Sequence, residues 1–263
     1  MFSYKNSKKS IIFSSLNTSY RIILTFSSLW DNIMRYCLTR NCSQYLYKIK
    51  QIFMDILAQQ ITELNKQLST QLPIETLQAF QKSIQDLIER KIENNSLTNG
   101  DIFPSFSLKN QHHKTITLED SLDHEKLIIA FLRGSWCPYC NLELKALVEE
   151  IEKNEAIRLI FITPQNTNAN LEWASEYKTS SFILSDKENK LAKEVGIEFE
   201  LQDYVIDHYN KLGIDLLHIN VTNNYTLPIP AVYILDKNAT IIYNFVNANY
   251  MQRINIDELK QYI

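Results

Sequence analysis

An apolar run, Lys126-Leu-Ile-Ile-Ala-Phe-Leu132, breaks at Arg133-Gly134-Ser135-Trp136 and leads at once into Cys137-Pro138-Tyr139-Cys140 and a helix-like stretch, Asn141 to Glu150. A buried strand that turns sharply into a helix places Cys137 at the helix N-terminus. There, unpaired backbone N–H groups and the positive end of the macrodipole favour thiolate over thiol. Pro138 suits the first helical position, where its missing N–H had no partner to lose. Cys140, three residues on, shares the helix face and can reach the Cys137 sulfur. Thiolates attack peroxides and disulfides, so the pair reads as a working dithiol. Two blander readings stand beside it: small buried hydrophobes, or half of a zinc site. Zinc would need two more ligands. Cys37 and Cys42 lie in a dissimilar segment, and His112, His113, His124, His208 and His218 show no ligand spacing.

Charge divides the chain. Net charge is −3, but residues 1–53 carry eight Lys/Arg against one Asp, leaving about −10 on the rest. The acidic remainder has no electrostatic footprint for nucleic acid. Four cysteines in 263 residues are too few for a disulfide-stapled secreted domain, so the dithiol is expected in a reducing, cytoplasmic compartment. The basic segment, rich in Ser and Asn, contains no stretch apolar enough for a membrane span. Ile11 to Trp30 comes nearest and is interrupted by Arg21 and serines. It lacks the small-residue cleavage site of a secretory signal, and its composition is that of an organellar transit peptide or of an extension upstream of a true start at Met54. On either reading residues 1–53 stand outside the fold.

From residue 54 to 98 the spacing predicts a helical arm. Ile56, Leu57, Ile61, Leu64 and Leu68 mark one helix over 55–68, and Leu77, Phe80, Ile84, Leu87 and Ile88 a second over about 74–92. Such stripes are core contacts and carry no chemistry of their own. Residues 99–263 read as a separate domain of alternating strands and helices. Strands are expected at 106–108, 115–118, 126–132, 158–163, 181–184, 231–236 and 240–246, with helices at 138–152, 168–178, 187–194 and 255–262. Apolar runs buried on both faces and alternating with helices define an α/β sandwich around a central sheet. Lys237-Asn238-Ala239 is a hairpin-length link, so the last two strands add antiparallel to a sheet that begins parallel. Residues 197–227 look irregular, a surface excursion beside the site.

These residues carry a family resemblance. Gly100 to Phe106 resembles the entry segment of peroxiredoxins. Phe131-Leu-Arg-Gly-Ser-Trp-Cys-Pro-Tyr-Cys-Asn-Leu-Glu-Leu144 is similar to the active-site signature of the peroxiredoxin-like branch of the alkyl hydroperoxide reductase and thiol-specific antioxidant (AhpC/TSA) superfamily. Ile162 to Gln165, Leu184 to Asp186, Leu227 to Ala231 and Asn249 to Arg253 resemble it in the same order. The resemblance implies a thioredoxin-like three-layer sandwich with a central mixed sheet. It also implies an antioxidant peroxidase in which Cys137 becomes a sulfenic acid on meeting a hydroperoxide and Cys140 condenses with it to a redox-active disulfide. A thioredoxin- or glutathione-type thiol then restores the dithiol, and no cofactor is implied. Pro230 falls at the position of the cis-proline that packs on the dithiol in thioredoxin-like folds, and Trp136 would shield the site.

The sequence departs from the pattern at the peroxide pocket. Gly134 and Ala130 stand where threonine and proline are usual, and Cys140 where glutamate is. The later-strand arginine that polarises the peroxide has no match at Pro230, so Arg133 or Arg253 would supply the charge. A thiol–disulfide oxidoreductase, and a redox sensor or holdase without turnover, use the same two cysteines and remain open. A homodimer is one assembly such a chain could adopt.

Overall fold

The computed structural model describes residues 56–220 and 222–263, so the readings for residues 1–53 lie outside the described part. Two arm helices come first, α1 (Ile56–Gln71) and α2 (Ile74–Glu89). Pro73 precedes α2 with an extended backbone, which separates it from α1. α2 stops three residues short of the expected Ile92, because Lys91 takes a left-handed φ of 53° before a short helical turn, Ile92–Asn95.

Nine strands and seven further helices follow in the described chain. They are β1 (Ser107–Asn110), β2 (Thr115–Thr117), α3 (Leu118–Ser121), β3 (Lys126–Phe131), α4 (Pro138–Ile151), β4 (Ile157–Thr163), α5 (Thr167–Tyr177), β5 (Phe182–Ser185), α6 (Lys190–Glu194), β6 (Glu198–Glu200), α7 (Asp203–Lys211), α8 (Leu216–Asn220), β7 (Thr226–Pro228), β8 (Ala231–Leu235), β9 (Ile241–Val246) and α9 (Ile256–Leu259). Seven strands form one sheet in the order β2-β1-β5-β4-β3-β8-β9. β3, β4 and β5 run parallel, while β8 joins β3 antiparallel and β9 joins β8 antiparallel, as the short link at residues 237–239 requires.

Period-two alternation divides the central strands between two cores. Leu127, Ile129 and Phe131 of β3, with Ile160, Ile162 and Tyr233, face a core closed by Leu87 of α2, by α6 and by α7. Ile128, Ala130 and Phe161 face the other core with Leu144 and Leu147 of α4, Trp173 of α5 and Leu57 of α1. Helices thus cover both faces of a mixed sheet, the three-layer thioredoxin-like architecture expected.

Two expectations need correction. The single helix over 187–194 is broken, because Glu188 and Asn189 have φ of 63° and 53°. The Asn189 amide explains the break: it donates to the Thr226 carbonyl at 2.9 Å, a bond that fixes the residue outside the helix. Residues 197–227, expected to be irregular, instead hold α7, α8 and a two-stranded ribbon of β6 and β7. Ribbon strands of three residues are too short to show an alternation in sequence.

Candidate active site

β3 ends at Phe131, and the turn that follows is held from below by Gln165. Its Oε1 accepts from the Ser135 N–H at 2.8 Å and from the Ser135 hydroxyl at 2.9 Å. Gly134 sits in this turn at φ +144°, and a Cβ there would lie 2.5 Å from Trp136 Nε1 and 2.7 Å from Gln165 Oε1. Glycine is therefore required both by backbone conformation and by space. The Cys137 N–H closes the turn onto the Gly134 carbonyl at 3.1 Å. Asn141 clamps it from the helix, donating to Ser135 O and accepting from Trp173 Nε1.

Cys137 is the N-cap of α4 and Pro138 its first residue, as the sequence required. Both thiols are free and buried, Cys137 2% exposed and Cys140 0%. The Cys140 sulfur accepts from the Arg133 backbone N–H at 3.4 Å and from Arg253 Nη2 at 3.4 Å. The same Nη2 lies 4.0 Å from Cys137 Sγ. Arg253 Nη1 is paired with Glu143 Oε2, while Glu143 Oε1 has no hydrogen-bond partner among the described residues.

Burial pushes the Cys137 thiol up. The hydrogen bond from Cys140 and the charges of Arg133 and Arg253 overcome that, so its pKa falls to about 5. Burial, then the hydrogen bond to Cys137, holds Cys140 well above the ordinary thiol range. Two sulfurs one helical turn apart are thereby differentiated into a thiolate and its protonated neighbour.

The two arginines do different work. Arg253 is committed to the sulfurs and to Glu143. Arg133, 2% exposed, lies with its guanidinium carbon 4.2 Å from the Tyr250 ring centroid and 5.0 Å from that of Trp136. One of its terminal nitrogens donates to the Tyr209 hydroxyl, and Nε has no partner among the described residues. Trp136 meets Tyr209 edge to face at 5.4 Å and lines the cavity over Cys137.

Pro230 departs from the expectation. No peptide bond among the described residues is cis. Its bond is trans, the isomer that X–Pro bonds still favour, though weakly. Pro230 is buried between β7 and β8, and its carbonyl accepts from the Asn247 N–H at 3.2 Å. It does not line the cavity over Cys137.

That cavity measures about 340 Å³ and has Cys137, Arg133 and Trp136 on its inner wall. Its outer wall comes from distant segments: Leu68, Leu72, Leu77 and Phe80 of the arm, and Tyr209 and Ile214 of the 197–227 segment. Sequence reasoning missed Tyr209 and the arm residues, and it quoted Tyr250, Glu143 and Gln165 within motifs without assigning them roles. Glu143 alone left a signal, an acidic residue one turn from Cys140 on a helix face otherwise apolar.

A mixed sheet with helices on both faces and a dithiol at the N-terminus of the helix after β3 defines a thioredoxin-like redox protein. Residues 99–244 match the AhpC/TSA family, and the chain belongs to it. Among its relatives is the putative peroxiredoxin bcp of Buchnera aphidicola subsp. Schizaphis graminum, 31% identical over 104 residues, which are 39% of this chain and 65% of that protein. Another is the chloroplastic peroxiredoxin Q of Gentiana triflora, 25% identical over 171 residues, 64% of this chain and 67% of that one. The chain thus spans slightly less than two thirds of the Buchnera relative's length. Two solved structures share the fold. A peroxiredoxin-like protein from Aquifex aeolicus and a thiol peroxidase from Chromobacterium violaceum superpose with TM-score 0.50 at 17% and 18% identity, each over 64% of this chain and 86% of the other. Among the described helices none is long and apolar enough to cross a membrane.

Proposed function

We propose that the chain is a thiol-dependent peroxidase in which Cys137 attacks and Cys140 resolves. The observation that carries this reading is the Cys137 sulfur on the inner wall of a cavity, at a helix N-terminus, with two buried arginines beside it. The Cys137 thiolate attacks the terminal oxygen of a hydroperoxide. An S–O bond forms, the O–O bond breaks, and the alkoxide leaves as an alcohol after taking a proton from solvent. Cys140 then displaces water from the Cys137 sulfenic acid to form the disulfide, and two external thiols reduce it to the dithiol while forming a disulfide of their own.

Arg133 is the arginine that holds the peroxide. It lines the cavity, and its Nε–H is free to donate to an oxygen beside Cys137. Arg253 works on the sulfurs instead. The cover over Cys137 admits a small oxidant more readily than a protein disulfide, which favours peroxidase over disulfide-exchange activity. The recycling thiol meets the same cover, which favours a glutathione-type reductant or local opening before thioredoxin. We place the protein in the cytoplasm; an organellar address would show as loss of import when a fluorescent fusion begins at Met54.

The test is stopped-flow oxidation of the reduced protein by hydrogen peroxide and an organic hydroperoxide, followed by tryptophan fluorescence. Cys137-dependent oxidation well above the rate of a free cysteine supports the proposal. A rate no better than free cysteine transfers the assignment to disulfide exchange.

A further inference from the structure

We propose that a cavity at the C-terminal ends of β4 and β5 is a second ligand site, which binds a small phosphate monoester carrying hydroxyl or amino groups. The proposal stands independently of the peroxidase reading. The cavity measures about 400 Å³, within the range of roughly 300–1,000 Å³ typical of small-molecule sites. It lies beyond the carboxyl ends of two neighbouring parallel strands, where open α/β sheets commonly hold their ligands.

Its wall is cationic, in a chain that is acidic outside residues 1–53. Lys109 of β1 lines it, as do Lys187 and Lys190 after β5. Of the three, Lys190 alone has an acidic partner among the described residues, Glu188 at 3.3 Å. Asp186 also borders the cavity but is 1% exposed. Its two carboxylate oxygens accept from the Leu191 and Ala192 N–H groups at 3.0 and 2.9 Å, so its charge is already engaged. α5 begins in the same wall, with Asn166 as its N-cap and Thr167 as its first residue. The positive end of an eleven-residue helix thus adds to the lysines.

A buried amide completes the site. The Asn166 N–H and side-chain amide both donate to the Ile219 carbonyl, at 3.1 and 2.9 Å, which sets α8 against the start of α5. Asn220, the next residue, is thereby placed in the cavity wall. It is 3% exposed, and its Oδ1 has no hydrogen-bond partner among the described residues. A buried amide oxygen is costly to leave unpaired, and a ligand hydroxyl or amine supplies the missing donor. Sugar phosphates and nucleoside monophosphates carry both groups, an anion for the lysines and a donor for Asn220.

The site reaches the dithiol through one side chain. Gln165, 0% exposed, lines this cavity, and its Oε1 is the acceptor that holds Ser135 in the turn before Cys137. Its Nε2 donates to Asn170 Oδ1 of α5 at 3.1 Å. A ligand seated at the start of α5 therefore bears on that turn. Coupling of this kind is reciprocal: the redox state of the dithiol sets the affinity for the ester, and the ester shifts the dithiol equilibrium by the same factor.

The experiment is isothermal titration calorimetry of the full, reduced chain with AMP, glucose 6-phosphate, adenosine, glucose and inorganic phosphate. At least one of the two esters should bind about tenfold or more tightly than inorganic phosphate and than its own unphosphorylated parent, the effect of charge-assisted hydrogen bonds added to a neutral one. Binding of neither ester overturns the site. Lys109→Gln combined with Lys187→Gln should weaken the ester by about tenfold, while Lys237→Gln, an exposed lysine outside the cavity, should not. Asn220→Leu should weaken it too, without lowering the thermal midpoint of the free protein, because it removes an unpaired oxygen. The exposed lysines keep the test decisive if Asn220→Leu fails to fold. Ester binding unchanged in the lysine variant overturns the assignment to this cavity. Finally, affinity should differ by about fivefold or more between the reduced chain and the chain oxidised to the disulfide with diamide. Equal affinities overturn the coupling through Gln165 and leave the binding site standing.

Discussion

Arg253 and Glu143 form an ion pair inside the protein, their side chains 0% and 1% exposed. Glu143 belongs to α4, one turn beyond Cys140, and Arg253 to the chain between β9 and α9. The pair therefore ties the segment after the edge strand β9 to the dithiol helix. Charges so deeply buried persist only if paired and hydrogen-bonded. Arg253 meets this condition through Glu143, the Tyr250 carbonyl at 3.0 Å and the Cys140 sulfur.

Removing one partner should cost far more than removing both. Arg253→Met strands the Glu143 carboxylate and is expected to lower stability by about 3–5 kcal/mol. Arg253→Met with Glu143→Leu should recover most of that loss in urea unfolding. Neither variant should keep the low Cys137 pKa, which thiolate ultraviolet absorbance reads directly. Equal stability of the single and double variants would show that the pair does not hold the helix.

Peroxide oxidation should rise with pH through about 5 and then stay level, since Cys137 is thiolate above that value. Arg133→Gln removes one of the charges that lower it and should shift the inflection upward. Stability follows with the same sign. Between about 5 and the unfolded thiol value near 8.5, the unfolded chain binds more protons at this residue, so Cys137 stabilises the fold increasingly as pH rises and loses that contribution as pH falls through 5. Cys140, held above the ordinary range, acts in the opposite sense and withdraws stability above about 8.5. Urea unfolding of Cys137→Ser across this range should lack the rise on the acid side.

Gly134→Ala should be damaging out of proportion to one methyl group. The added Cβ meets Trp136 and Gln165 well inside contact distance, at a φ that alanine avoids. A loss of about 1–3 kcal/mol in thermal or urea unfolding is expected, along with slower peroxide oxidation as the turn moves Ser135 off Gln165. Wild-type stability would mean that the turn adapts without cost.

The two cysteines should separate kinetically. Cys137→Ser abolishes oxidation by peroxide. Cys140→Ser keeps the first turnover but blocks recycling and lets Cys137 proceed to sulfinic acid, seen as a mass gain of two oxygens. Equal loss of the first turnover in both variants would count against this assignment of roles.

The sheet and the dithiol were legible because their signals are local. β3 is an unbroken apolar run, and a cysteine followed by proline at a strand-to-helix turn has few other readings. The strands of the sheet end within two residues of the sequence expectation, whereas helix ends drift further: α1 runs on to Gln71 and α2 stops at Glu89. Tyr209 was not legible. It lies 76 residues from Arg133, whose guanidinium it accepts from, and nothing in its own segment marks it. The arm helices are legible as amphipathic, but a leucine facing a cavity and a leucine facing a core are identical in sequence. Pro230 shows the converse limit: its place in the motif was recognised, while its isomer depends on packing that a motif does not record.

The wall over Cys137 draws on Asn65 at one end of the described chain and Tyr250 near the other. Contacts spanning such separations close late, after local helices and the first strand pairs exist. A partly folded chain can therefore carry α4 with Cys137 at its tip and still lack both the arginine and the aromatic enclosure. Its thiol would behave as an ordinary one. Reactivity towards peroxide is in that sense the last property the molecule acquires as it folds and the first it surrenders as it unfolds, so the rate of thiol oxidation doubles as a probe of whether the final tertiary contacts are in place.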